Sequence, residues 1–107
     1  MRKGNVYYKN HFAGIISETE DGEYVFQYDP QYVVENPNNF ITFSIPVSDK
    51  PYVDKQLFPF FEGLIPEGWL LDIASHNWKI NRNDRMGLLL ACCQNCIGAV
   101  SIISITE

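Results

Sequence analysis

The N-terminal part of the chain alternates apolar stretches with short polar connectors, which is typical of β-hairpins. Apolar residues at Val6–Tyr8 and Phe12–Ile16 flank the connector Lys9-Asn10-His11, and asparagine tolerates the positive φ that a tight hairpin turn requires. Asp21-Gly22 is a second turn signal, and the aromatic and β-branched residues of Tyr24–Tyr28 favour a strand after it. The pattern therefore predicts three strands joined by two tight turns.

A fourth strand is predicted further along the chain. Asp29-Pro30 ends the third strand, because proline restricts the residue before it and cannot donate a ladder hydrogen bond. Within Phe40–Ile45 every second residue is strongly apolar, which predicts a strand with one apolar face made of Ile41, Phe43 and Ile45. The polar, proline-punctuated stretch Pro46–Gln56 then predicts an ordered surface loop.

The second half changes to a helical period. Pro59 and Pro66 each precede a helix-compatible run, and proline is well tolerated at the first helical position. Trp69–Trp78 is predicted to be helical, with one apolar face that contains Leu70, Ile73 and Ala74.

The C-terminal part predicts a buried helix and a closing strand. Asn83 or Asp84 can cap a helix that runs from Arg85 to about Gln94 and is apolar on nearly every side. Gly98–Ile105 then predicts a strand that returns to the N-terminal sheet. The fold class is therefore α+β: one domain over residues 1–107, with a small antiparallel and partly barrel-like sheet packed against about three short helices.

Composition and charge argue against several classes of function. The 107 residues are 46% apolar, and 8 Lys+Arg against 13 Asp+Glu give a formal net charge of −5. This acidic balance argues against direct binding to nucleic acid or to an anionic membrane, both of which favour basic surfaces. The longest apolar run, Leu88–Cys93, is far shorter than the roughly 20 residues of a membrane span, and the N-terminus does not read as a secretory signal. A cytoplasmic location is expected.

Candidate catalytic or metal-binding residues are few. The sequence contains no phosphate-binding glycine loop, no H-E-x-x-H and no G-x-S-x-G. His11 is placed in a turn and His76 near a helix end, where a solvated or capping role is the simpler interpretation. Cys93-Gln94-Asn95-Cys96 is a C-x-x-C that follows Cys92, and it permits a redox pair or half of a zinc site, although no second ligand pair accompanies it. Buried structural cysteine is the favoured interpretation, and no cofactor is predicted.

The segment Phe60–Leu71 is the strongest candidate for a binding surface. Glycines and a proline interrupt an otherwise apolar stretch, so the chain must turn sharply there. On a helical wheel that starts after Pro66, Trp69 lies at one edge of the apolar face and Trp78 at the other. An edge tryptophan beside a rigid turn either folds over the rim of the core or forms a partner-binding hot spot.

The same segment resembles a known family. Phe60-Phe61-Glu62-Gly63-Leu64-Ile65-Pro66-Glu67-Gly68 is similar to the F-F-x-x-L-L-P-E-G motif of HipA-type toxin kinases. Asp84–Leu89 and Cys96–Val100 resemble two further motifs of that family in the same order, and the resemblance spans about residues 6–105. The family's ATP-binding loop and catalytic aspartates have no counterpart in these residues, so a non-catalytic chain is expected.

The resemblance implies the N-terminal subdomain of HipA, in the form of a HipS-like antitoxin. Such a protein binds a HipT-like serine/threonine kinase and obstructs its active site with a tryptophan, and a HipB-like DNA-binding protein can join the complex. The implied partner-binding residues in this sequence are Phe61, Leu64, Pro66, Glu67, Gly68, Trp69 and Leu71. Two alternatives stay open: a structural lobe that supports a split kinase, and a small thiol or zinc protein that uses Cys93 and Cys96.

Overall fold

An antiparallel sheet with the strand order β4-β3-β2-β1-β5 is the framework of the fold. The computed structural model describes residues 2–65, 76, 79–81, 83–93 and 99–105. Within them lie five strands and three short helices: β1 (Arg2–Tyr8), β2 (His11–Glu18), β3 (Tyr24–Tyr28), α1 (Pro30–Glu35), β4 (Tyr52–Asp54), α2 (Pro59–Glu62), α3 (Arg85–Cys92) and β5 (Val100–Ile105). The predicted α+β class is confirmed, and so is the return of the last strand to the N-terminal sheet, where it pairs with β1.

The sheet is open, so the expectation of a partly barrel-like closure is wrong. β4 and β5 lie at opposite edges, and β4 contributes only three residues, which pair with β3. A barrel requires its two edge strands to pair with each other. No such pairing joins β4 to β5 in the described part of the chain.

Both predicted turns are present, for the local reasons that the sequence indicates. Lys9 and Asn10 have φ values of 50° and 68°, and positive φ at both central residues is the geometry of a type I′ hairpin turn. Gly22 has a φ of 83° in the turn between β2 and β3. These turns set the antiparallel pairing of β1, β2 and β3.

One face of the sheet and the helices enclose a single apolar core. Val6, Ile16, Phe26 and Ile102 project from four neighbouring strands and are fully buried. α3 supplies Met86, Leu88, Leu89 and Leu90, all buried, which confirms that this helix is central to the core. Asp84 caps it by accepting the N–H of Gly87, as predicted.

The chain between β3 and α2 differs from the sequence-based prediction. Residues 40–45 form no strand: Ile41 and Ile45 are buried, but Phe43 is exposed at a tight turn in which the Ile45 N–H donates to the Thr42 carbonyl at 3.1 Å. Two elements were not predicted. Asp29 caps α1 by accepting the N–H groups of Gln31 and Tyr32, and β4 lies within the stretch that was predicted to be a loop.

The predicted helix Trp69–Trp78 lies almost entirely outside the described residues. The helix predicted after Pro59 is confirmed as α2, in which Pro59 takes the first helical position.

Candidate partner-binding site

The candidate site begins on α2, and the core fixes that helix in place. Phe61 is fully buried, and its ring centroid lies 5.6 Å from that of Phe26 on β3 and 5.3 Å from that of Phe60. Its ring is therefore enclosed by the protein, whereas the resemblance implies that Phe61 contacts the partner. Phe61 instead anchors α2 to the core.

A compact turn carries the chain out of α2. Gly63 takes an ordinary right-handed conformation and donates its N–H to the Pro59 carbonyl at 3.0 Å. Leu64 and Ile65 continue the turn, with their N–H groups donating to the carbonyls of Phe61 and Glu62. Ile65 is buried and Leu64 is half-buried. These hydrogen bonds and the burial of Ile65 hold the backbone of residues 63–65 against α2.

Two side chains of the C-terminal part hold this turn against the rest of the fold. Arg85, the first residue of α3, forms an ion pair with Glu62 of α2. Cys93, which is buried at the end of α3, has its Sγ 3.4 Å from the Leu64 carbonyl oxygen. Burial and this contact agree with the structural interpretation of Cys93. Cys96, the other half of the C-x-x-C, lies outside the described residues.

The structure thus locates two of the seven predicted partner-binding residues, Phe61 and Leu64. The other five lie outside the described residues: Pro66, Glu67, Gly68, Trp69 and Leu71. The described base of the segment ends at Ile65, one residue before Pro66.

An open cleft of about 520 Å³ borders the same helix. Its wall includes Pro59 and Glu62 of α2, Arg85 of α3 and Lys55 and Tyr24 from the β3–β4 side. Nearby, the Arg2 guanidinium donates to both Glu18 and Asp84, at 2.7–2.9 Å. Hydrogen bonding from Arg2 lowers the pKa of the Asp84 carboxyl. The lining mixes apolar side chains with charged ones, and two of the charged side chains, Arg85 and Glu62, form an ion pair with each other.

No group of three or more His, Cys, Asp or Glu side chains in the described ranges is arranged to hold a metal ion. His11 and His76 are both exposed. Among the helices that the structure describes, none has the length and hydropathy to cross a membrane.

Comparisons with known proteins converge on one family. The HipA N-terminal domain family matches residues 4–103. An uncharacterized protein of Haemophilus influenzae (strain Rd) is 32% identical over 102 residues, which cover 95% of this chain and 92% of that protein. A solved structure of the N-terminal domain of HipA toxin matches with a TM-score of 0.76 and 29% identity, over 100% of this chain and 95% of that one.

Proposed function

This chain belongs to the HipA N-terminal domain family, and from that premise we propose that it is a HipS-like regulatory subunit. It binds a HipT-like serine/threonine kinase and restrains it by placing Trp69 at the kinase active site. The chain itself catalyses no reaction, and it acts in the cytoplasm, where its kinase is made.

The observation that carries this proposal is the fixed position of Phe60–Ile65, the part of the motif that directly precedes Pro66 in the sequence. Phe61 and Ile65 are buried in the core, and Glu62 is paired with Arg85. Residues that are held in place before binding lose little conformational entropy when they contact a partner. Trp69 follows this anchored part by four residues in the sequence, and tryptophan is among the residues that interface hot spots favour.

The relatives contain this module in two different contexts. The match spans 92% of the Haemophilus protein, so that protein consists almost entirely of the same module. The matching solved structure is described as a domain of HipA toxin. The same module therefore occurs both as nearly a whole protein and as part of a toxin.

A HipB-like DNA-binding protein is a possible third member of the complex in this proposal. The net charge of −5 makes this chain a poor ligand for DNA phosphates. Any contact of the complex with an operator is therefore assigned to HipB.

The test is autophosphorylation of the HipT-like kinase from the same genome, titrated with this chain. We expect inhibition that is complete near one equivalent. Trp69→Ala should weaken the complex by about 2 kcal/mol or more, which is roughly thirtyfold, and should relieve inhibition. Trp78→Ala is the matched control, because this second tryptophan lies at the other edge of the predicted helix and should inhibit like the wild type. Full inhibition by Trp69→Ala at unchanged affinity would disprove the tryptophan mechanism.

The second candidate function is a structural lobe that a split kinase needs for activity. It is favoured by the likeness to a domain of the toxin itself. The same titration separates the two functions, because a structural lobe forms a stable complex and leaves kinase turnover unchanged or higher.

A further inference from the structure

The turn at residues 42–45 presents one aromatic ring to solvent. Phe43 is 88% exposed, the highest value among the large apolar side chains that the structure describes. Ile41 and Ile45, which lie two positions before and two positions after it, are buried in the core. The backbone is thus anchored on both sides of the ring, and Phe43 projects from the tip.

Three tyrosine hydroxyls hold the loop that carries this tip. Tyr28 accepts the N–H of Ile41 at 3.2 Å and donates to the carbonyl of Ile45, so one buried hydroxyl ties both ends of the turn. The Tyr32 hydroxyl donates to the Asn39 carbonyl, and that of Tyr52 donates to the Pro46 carbonyl at 2.6 Å. Because burial raises the pKa of Tyr28 to about 12, its hydroxyl remains a donor at any physiological pH.

The loop is also uncharged over its whole length. Residues 36–48 contain no Asp, Glu, Lys or Arg, in a chain that carries 21 such residues out of 107 (8 basic and 13 acidic). The charged residues that flank it most closely are Glu35 and Asp49, both acidic. Nucleic acid and anionic lipid both require basic residues around an inserted ring. The exposed ring on an uncharged loop is best matched by an apolar site on a protein.

The position of the loop connects it with the candidate site on α2. Phe61 of α2 packs on Phe26, whose ring centroid lies 4.9 Å from that of Tyr28. Tyr28 in turn holds the backbone next to Phe43. α2 and the loop 36–48 therefore both pack over the same face of β3.

We propose that Phe43 is a second anchor for the kinase, and that it inserts into an apolar pocket outside the kinase active site. This inference rests on the proposed function. In this proposal the two residues have different roles: Trp69 obstructs the active site, and Phe43 contributes affinity. An aromatic ring on a rigid, desolvated base is the arrangement that interface hot spots favour.

The experiment measures binding and inhibition of the purified HipT-like kinase by four forms of the chain. The variants are Phe43→Ser, Phe43→Leu and the control Val53→Ser, which removes another exposed apolar side chain from the edge strand β4. Phe43→Ser should weaken binding at least about tenfold and Phe43→Leu less, whereas Val53→Ser should stay within about twofold of the wild type. At saturating concentration Phe43→Ser should still inhibit fully, because Trp69 is intact.

Three results would overturn the inference, and they differ from one another. Binding of Phe43→Ser within about twofold of the wild type would disprove the second anchor and leave the proposed function standing. Absence of any complex with the wild-type chain would disprove the proposed function and this inference together. If Phe43→Ser converts a dimer of the chain alone into a monomer by light scattering, without a change in kinase affinity, the ring serves a second copy of the chain.

Discussion

The buried hydroxyl of Tyr28 satisfies two backbone groups at once. Tyr28→Phe keeps the ring but leaves the N–H of Ile41 and the carbonyl of Ile45 without that partner. An unsatisfied buried polar group costs about 1–3 kcal/mol, so the free energy of unfolding should fall by about 2 kcal/mol in urea titrations. Tyr52→Phe is the matched control, because it removes one exposed hydrogen bond to Pro46 and should cost less than about 1 kcal/mol.

The same hydroxyl predicts how stability depends on alkaline pH. The pKa of Tyr28 is about 12 in the folded chain, against 10.0 for an ordinary tyrosine. The unfolded chain therefore releases this proton at a lower pH than the folded chain does. The stability that Tyr28 contributes through its raised pKa is fully present below pH 10 and is lost as the pH rises toward 12. Tyr28→Phe should show a shallower loss over that interval. An equal slope in both proteins would mean that the other tyrosines with a raised pKa, Tyr24 and Tyr32, account for the effect.

At the scale of the elements, the β2–β3 pair depends on the absence of a side chain at Gly14. A Cβ at this position would lie 2.3 Å from the Gln27 carbonyl oxygen and 2.9 Å from the Tyr28 Cα, and both are backbone atoms of the neighbouring strand. Gly14→Ala must therefore push β3 away, and it should destabilise the fold by about 2 kcal/mol. Thermal unfolding followed by circular dichroism measures this loss.

Gly63 at the end of α2 provides the comparison for Gly14. Its φ is −68°, and a Cβ there would meet its nearest neighbours at 3.5 Å, which is ordinary contact. Gly63→Ala should therefore leave stability within about 0.5 kcal/mol of the wild type, or raise it slightly by restricting the unfolded chain. A loss as large as that of Gly14→Ala would show that substitution of any glycine, rather than the close approach of two strands, causes the effect.

Two local features were predictable from sequence, whereas the turn around Phe43, which is set by distant contacts, was not. The Lys9-Asn10 turn and the Asp84 cap each depend on residues close in the chain, and both were predicted. The turn around Phe43 depends on Tyr28, which lies 13 residues before Ile41, so alternation alone wrongly indicated a strand. α1 did carry a local signal, since Asp29-Pro30 is also a helix cap followed by a first-turn proline.

The sequence indicated where the candidate site lies along the chain, but it did not indicate the contacts that hold α2 in place. The motif from Phe60 to Gly68 marked the segment, yet nothing local shows that Phe61 faces the core or that Glu62 pairs with Arg85. Those contacts join residues from separate elements. Phe43 was missed for the same reason, although the uncharged stretch 36–48 was visible in the sequence.

On the scale of the whole molecule, charge is distributed unevenly over the surface. Four carboxylates, Glu18, Glu20, Asp21 and Glu23, lie in or beside the β2–β3 turn. The loop 36–48 carries no charge, and the segment from Phe60 to Leu71 contains only Glu62 and Glu67. The described residues therefore offer a partner two kinds of surface: the acidic β2–β3 turn, and the uncharged loop 36–48, which forms an apolar side.

The salt dependence of kinase binding shows whether the kinase contacts the acidic β2–β3 turn or the apolar side of the chain. If the kinase contacts the apolar side, raising salt from roughly 50 to 500 mM should change the affinity by less than about threefold, because screening acts on exposed charges. Calorimetric titrations at several salt concentrations measure this. A loss of affinity of tenfold or more, on the order expected for electrostatic docking, would place a basic kinase surface against the β2–β3 turn and contradict binding through Phe43 and the α2 segment. Substituting Glu20 and Asp21 by Asn is the matching control: both side chains are exposed, and affinity should be unchanged if the apolar side is the interface.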